Sequence, residues 1–391
     1  MIFVGIDVAS DKHDVMIMNN SHKQFQKNPL RIANNSLGFK KLHETIQNVC
    51  GANQDYTVRI GLESTGFFHI NLVNFLLEKN YDIMVINPLL TKSDKKRYSV
   101  RPQKTDKIDA IALCKYVSDT NLVFIPYTRQ SYHNELLKSL SRNRFSLVER
   151  RTREKLTVFR IVTLIFPEYI KLFSNLCSIS SLNILAKYLS ADKIAKAHTD
   201  TLKSLIHGKC QITAEQIKDA AKNTIGSSNE AYELELKLAI ENINALNNQI
   251  ADYDNLIKKI IKISNTKLLS IPGISYITAA TILGEIGDIS RFKSPDSILS
   301  YAGLDLIVYE SGKYKSSGLH ISKKGSRYLR HTLFQVAKII WQCDKQFNEY
   351  YTKKKNEGKP FLTIMGHIQK KLVRVIYSVL KNDKDYVVPQ N

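Results

Sequence analysis

The chain opens on IFVGIDV, residues 2–8, an apolar run rich in β-branched residues that carries an acid, Asp7, near its end. A run of that length reads as a strand. His13 to Met18 supplies a second strand and Lys23 to Gln26 a third, close enough to be joined by hairpins. Asn34 to Val49 reads as a helix marked by Leu37, Leu42 and Ile46. Tyr56 to Glu63 is a strand that again ends in an acid, Phe67 to Lys79 a helix, and Tyr81 to Ile86 a strand stopped by Asn87-Pro88. Strands alternating with helices define an α/β domain.

The pattern then changes. Residues 90–105 are polar and basic, a short helix begins near Asp106, and Pro126 closes the region. Tyr132 to Phe166 predicts one long helix or a pair, with Arg142, Arg144, Arg150, Arg151, Arg153, Lys155 and Arg160 against Glu149 and Glu154. Such a face is either solvated or tracks phosphates. Residues 170–230 are helical and irregular. Glu230 to Ile263 carries an extended apolar pattern (Leu234, Leu236, Leu238, Ile240, Ile243, Leu246, Ile250, Tyr253, Leu256, Ile260, Ile263). Its spacing suits a coiled-coil seam, which implies an oligomer, or core packing in a helical bundle. Near Lys267 the order is helix, a Pro272-Gly273 turn, then a helix from Thr278 to Leu283. This helix-hairpin-helix-like segment could offer backbone amides to a DNA phosphate. Arg327 to Trp341 and Leu362 to Leu380 are further helices. The boundaries are residues 1–130, an α/β domain; 131–265, a long helical or coiled-coil middle; and 266–391, a mainly α domain.

Lys and Arg number 57 against 36 Asp and Glu, a net charge of +21 over 391 residues. That excess calls for a polyanionic partner, nucleic acid first. A hydrophobic content of 43% excludes global disorder. No apolar run approaches the roughly 20 residues of a spanning helix, so no membrane role is expected, and the N-terminus reads as a strand with no cleavage pattern after it. The five cysteines are far apart and form no CxxC pair, which argues against a zinc finger and suits buried thiols in a reducing cytoplasm.

Four carboxylates stand out. Asp7 and Glu63 end strands; Asp106 and Asp109, three apart in KTDKIDA, share one face if that segment is helical. Acids on strand ends and on one helix can converge at a sheet edge, as a two-metal phosphoryl-transfer site requires: two Mg²⁺ ions (Mn²⁺ as a substitute) held by hard oxygen ligands. Each acid alone also suits a cap, a turn or a helix N-terminus. From Ser311 to Arg330 six basic residues occur with no acid, around small residues and serines. A serine there could attack a phosphate with cations nearby; a solvated loop is the simpler reading.

The blocks GIDVASDKHDV, GLESTGFF, INP and KTDKIDA, followed in order by IPGISYITAATILGEIGDISRFKSPDSILSYAGLD and ESGKYKSSGLHISKKGSRYLRHTLFQVA, resemble the IS110 family of transposases over nearly the whole chain. The resemblance implies a RuvC-like (RNase H-like) N-terminal domain whose DEDD acids match Asp7, Glu63, Asp106 and Asp109. It implies a C-terminal transposase domain whose catalytic serine matches Ser311, with Ser316, Ser317, Ser322 and Ser326 as rivals. It further implies donor and target double-stranded DNA, a structured guide (bridge) RNA, and a homo-oligomer, a dimer that becomes a tetramer on DNA. The serine would form a phosphoserine link and release a 3′-OH that rejoins the exchanged strand. Arg142, Arg151, Lys313, Lys323, Lys324 and Arg327 are expected as phosphate contacts. The expected location is cytoplasmic, at the nucleoid when acting. A RuvC-like nuclease or Holliday-junction resolvase is the alternative.

Overall fold

The computed structural model describes residues 1–63, 68–86, 106–119, 124, 126–208, 212–307, 310–311, 314–315 and 320–388. They form two compact units, Met1–Glu135 and Leu136–Asn391.

In the first unit β1 (Ile2–Val8), β2 (Lys12–Asn19) and β3 (Leu30–Ala33) precede α1 (Ser36–Asn53), β4 (Val58–Glu63), α2 (His69–Glu78), β5 (Asp82–Ile86) and α3 (Asp106–Ser118). The sheet order is β3-β2-β1-β4-β5. β1 pairs antiparallel with β2 and parallel with β4, and β4 pairs parallel with β5. Side chains alternate across each strand. Ile2, Val4, Ile6 and Val8 join Leu42, Ile46 and Leu72 in one core, with α1 and α2. The other face of the sheet meets α3: Phe3, Met84 and Ile86 pack on Leu113 and Val117, and Met16 and Met18 on Ala110 and Cys114.

The third strand is Leu30–Ala33, not Lys23 to Gln26, which contributes only an isolated bridge from Gln24 to Met18. Asn19 Oδ1 accepts from the backbone N–H groups of Ser21 and Lys23, curling that segment into a turn, whereas Ile32 has a buried place on the sheet. Leu37 is not an apolar mark of α1. It lies 76% exposed in the first turn, and Phe39, Leu42, Ile46 and Cys50 form the buried stripe.

The second unit is built on α4 (Arg129–Ile165), a single helix whose first turns belong to the first unit. Short helices follow: α5 (Tyr169–Leu172), α6 (Ile179–Tyr188), α7 (Ala191–Lys196), α8 (Thr199–Leu205) and α9 (Ala214–Lys222). The long α10 (Glu230–Ser264) then returns along α4. The pairings Arg144–Asp254, Arg151–Asn247 and Arg160–Glu235 show that the two helices run antiparallel. One core joins the C-terminal end of α4 and α5–α9 to Leu236, Ala239, Ile240 and Ile243 of α10. A second begins at Ile257 and Ile261. It takes in α11 (Tyr276–Ile286), α12 (Pro295–Tyr301), α13 (Arg327–Cys343), α14 (Lys345–Asn356) and α15 (Phe361–Asn382).

Much of the long apolar pattern of α10 is therefore used inside the chain. Leu236, Ile240, Ile243, Leu246 and Ile250 are buried, while Leu234, Leu238, Leu256 and Ile263 are exposed. The helix expected before Pro272 is a single 3-10 turn, Lys267–Ser270. Helix α10 has already ended at Ser264, where Asn265 takes the left-handed conformation that closes helices (φ 46°). The thiols are not all buried: Cys50 and Cys114 are, Cys177 is half-buried and Cys343 exposed, and Cys210 lies outside the described residues. No described helix is long and apolar enough to cross a membrane.

Candidate functional site

The sheet decides where the acids stand. Gly5 and Gly61 both face α3: a Cβ on Gly5 would fall 2.2 Å from the Ala110 carbonyl oxygen, and one on Gly61 2.5 Å from Val117. Two residues further along each strand, the same face carries Asp7 and Glu63. The β1–β4 register ends at Ile6 opposite Leu62, so the two acids follow on neighbouring parallel strands. The Cys114 thiol donates to the Met16 carbonyl at 3.0 Å, and Ala110 sits over Gly5. The helix turn that precedes Ala110 holds Asp109, buried at 7% exposure, and opens at Asp106. Burial pushes the Cys114 thiol up to about 12, so it is an inert part of this packing. Lys107 ties the same turn to the Lys27 carbonyl at 2.6 Å.

A fifth acid joins this edge. Asp14 pairs directly with Asp7 across β1 and β2, which places both side chains on one face. It is 5% exposed and accepts from Arg31 Nε at 3.1 Å. Its signal in the sequence is two-residue alternation with Met16 and Met18.

These oxygen donors have the chemistry of a site for hard divalent cations. Among the described residues, no group of three or more His, Cys, Asp and Glu is arranged to hold a metal. The Asp106 side chain lies outside that set. Asp7, Glu63 and Asp109 each already engage other groups within the protein.

In the second unit the serine segment is a nested hairpin. β6 (Leu306–Ile307) pairs with β9 (His320–Ile321), and β7 (Glu310–Ser311) with β8 (Tyr314–Lys315). Ser311 lies opposite Tyr314 and Glu310 opposite Lys315. The root of the hairpin is fixed. Gly325 has φ +145° and lies where a Cβ would fall 2.2 Å from the Tyr301 carbonyl oxygen, and Ser326 N–H donates to that oxygen at 2.8 Å. Ser322 Oγ donates to Asp305 Oδ1 and accepts from Lys324 N–H. Ser326 Oγ caps α13 by accepting from Leu329 N–H, and donates to Glu285 Oε2 at 2.7 Å. Both hydroxyls thus serve the hairpin's anchorage. Ser316, Ser317, Lys313 and the side chain of Ser311 lie outside the described residues.

Glu285, which meets Ser326 at the hairpin root, was not singled out by the sequence pattern. Its side chain is wholly buried, and Arg142 donates to it in a bidentate pair at 2.6 and 2.9 Å. The Glu285 hydrogen bond raises the Arg142 pKa. A lone acid in the apolar helix YITAATILGEI was the available clue, because a buried charge needs a partner. Of the expected phosphate contacts, Arg142 is committed to Glu285, Arg151 NH1 donates to Asn247 Oδ1, and Arg327 pairs with Glu149 at 3.2 Å. Lys323 and Lys324 are exposed at the hairpin root.

Residues 4–167 match the family model of the DEDD transposase of IS110, and residues 265–352 that of the transposase IS116/IS110/IS902 family. The pilin gene-inverting protein of Moraxella bovis is 24% identical over 98% of this chain and 97% of its own. The mini-circle putative transposase for IS117 of Streptomyces coelicolor is 21% identical over 98% and 95%. Among solved structures, T. thermophilus RuvC in complex with Holliday junction substrate matches with a TM-score of 0.22 and 11% identity, covering 30% of this chain and 94% of that one. The sequence matches define a transposase, an enzyme of DNA recombination. The chain belongs to the IS110 family.

Proposed function

We propose that this transposase recombines donor and target double-stranded DNA under a structured guide RNA, joining an acidic metal site to a serine nucleophile. The observation that carries the reading is the placement of Asp7 and Glu63 on neighbouring strand ends, on the face packed by the helix that opens with Asp106 and Asp109. Those four acids would hold Mg²⁺. When bound, the ions supply charge stabilisation at the phosphoryl oxygens.

In this reading Ser311 Oγ attacks a DNA phosphorus. The P–O3′ bond breaks, the released O3′ takes up a proton, and a phosphoserine remains. A 3′-OH of the exchanged strand then attacks that phosphorus and returns the electron pair and a proton to Ser311. No net hydrolysis occurs. The exposed Lys323 and Lys324 would hold phosphates beside the hairpin. Guide pairing would supply sequence choice, as in other RNA-guided systems. A homo-oligomer would bring hairpins and acidic sites together from different subunits.

The test is direct. RNA recovered from the purified protein should be one structured species with two loops complementary to two DNA sites. Ser311→Ala should lose strand exchange and every covalent protein–DNA species, and Asp7→Asn should lose exchange while still binding DNA. Normal exchange by Ser311→Ala would instead favour the resolvase reading.

A further inference from the structure

The second unit contains a cavity of about 550 Å³ between α4, α11 and α13. It lies within the size range of small-molecule sites. Its lining includes Ser141, Phe145, Arg153, Thr281, Tyr328 and His331. None of these belongs to the acidic set or to the hairpin. Phe145 anchors an aromatic wall: Tyr328 and His331 meet it at centroid distances of 5.2 and 5.0 Å, both at 82°, and the Arg327 guanidinium lies over Phe145 and Tyr328, with that of Arg142 also over Tyr328. Exposed Arg153 stands on the rim.

The lining has one unsettled polar group. Ser141 is 5% exposed, and its Oγ has no hydrogen-bond partner. Thr281, by contrast, donates its hydroxyl to the Ile277 carbonyl of its own helix at 3.0 Å. An unmatched buried hydroxyl costs about 1–3 kcal/mol, so the cavity suits a ligand with a polar edge as well as an apolar face. Burial lowers the His331 pKa, and its Nε2 already meets Gln335 Nε2 at 3.4 Å. Of the charged lining residues, Arg144 is paired with Asp254 and Glu149 with Arg327, which leaves Arg153 to favour an anionic attachment. Flat apolar faces, a hydrogen-bonding edge and a phosphate together describe a nucleotide.

We infer that this cavity receives one unstacked nucleobase from a bound nucleic-acid strand. Phe145 and Tyr328 would contact the base, Ser141 would hydrogen-bond its edge, and Arg153 would hold the adjoining phosphate. The inference rests on the nucleic-acid binding proposed above, and DNA and RNA strands share the required chemistry.

The probes are a single-stranded DNA oligonucleotide carrying one 2-aminopurine and the RNA of the same sequence. Anisotropy reports binding, and 2-aminopurine fluorescence reports unstacking. The full chain should bind with a several-fold rise in fluorescence, and the strand giving the larger rise identifies the source. Ser141→Leu, which fills the cavity, should abolish the rise while anisotropy still reports salt-sensitive binding. An undiminished rise in Ser141→Leu overturns the inference, as does binding by the unaltered protein without any rise. No binding of either strand overturns the proposed function as well. Should Ser141→Leu not fold, 4-thiothymidine or 4-thiouridine in the same strands is photocrosslinked to the unaltered protein. Adducts on Phe145, Tyr328 or His331 support the pocket; adducts only on residues that do not line it overturn it.

Discussion

Arg142 and Glu285 show how unequal the two halves of one ion pair can be. The Glu285 side chain is wholly buried, whereas that of Arg142 is 40% exposed. Removing the arginine strands a carboxylate away from water; removing the carboxylate lets the guanidinium turn towards solvent. Arg142→Ala is therefore expected to cost about 3 kcal/mol or more, and Glu285→Gln about 1–2 kcal/mol because the amide still accepts from Ser326. Urea unfolding of the two variants checks the order, and equal losses would contradict it. The residue scale is also where the sequence was least legible. Asp7, Glu63, Asp106 and Asp109 stood out because strand ends and a three-residue spacing mark them. Asp14 and Glu285 did not, because their importance comes from what crosses over to meet them. Asp14 meets Asp7 and Arg31 across the sheet. Glu285 meets Arg142 and Ser326, from positions 143 and 41 residues away.

Elements were read better than their edges. The α/β alternation up to residue 86 and the long helix α4 follow from apolar periodicity, which is a local property. The third strand was misplaced because Asn19 curls the segment after it, and strand choice there depends on pairing rather than on composition. The apolar pattern of α10 could not reveal that its stripe is shared between two cores of the same chain, since periodicity does not name what covers a stripe. At this scale the contact between α3 and β1 controls the acids. A methyl group on Gly5 would fall 2.2 Å from one backbone atom of α3 and 2.6 Å from another. Gly5→Ala should push the helix away, destabilise the protein by about 1–3 kcal/mol and lower recombination far beyond what the stability loss explains. Thermal unfolding with strand-exchange assays at a temperature where both proteins are folded separates the two effects. Unchanged exchange would mean that α3 does not set the acids.

For the molecule as a whole the dominant quantity is its charge of +21. That figure already counts the acids, and Arg144, Arg160 and Arg142 of α4 are paired with Asp254, Glu235 and Glu285, so the cations that carry the excess are mostly other than these three. Binding to non-specific DNA should still weaken steeply with salt, with log K falling by about 0.9 per log unit of salt for each phosphate contacted. Anisotropy titrations between low and physiological salt measure that slope, and a flat response would remove phosphate contact as the basis of affinity. One feature of the helical pair bears on how such a chain diversifies. The module between α4 and α10 leaves and re-enters at adjacent points: Ser227 N–H donates to the Leu164 carbonyl at 3.1 Å, and Gly226 lies where a Cβ would fall 2.3 Å from the Ile165 carbonyl oxygen. An insert with touching ends can lengthen, shrink or be exchanged without moving the helices that carry it. The two family matches stop at residue 167 and resume at 265, which bracket this module and α10. A stretch so placed can be rewritten while the two family-matched blocks on either side stay in place.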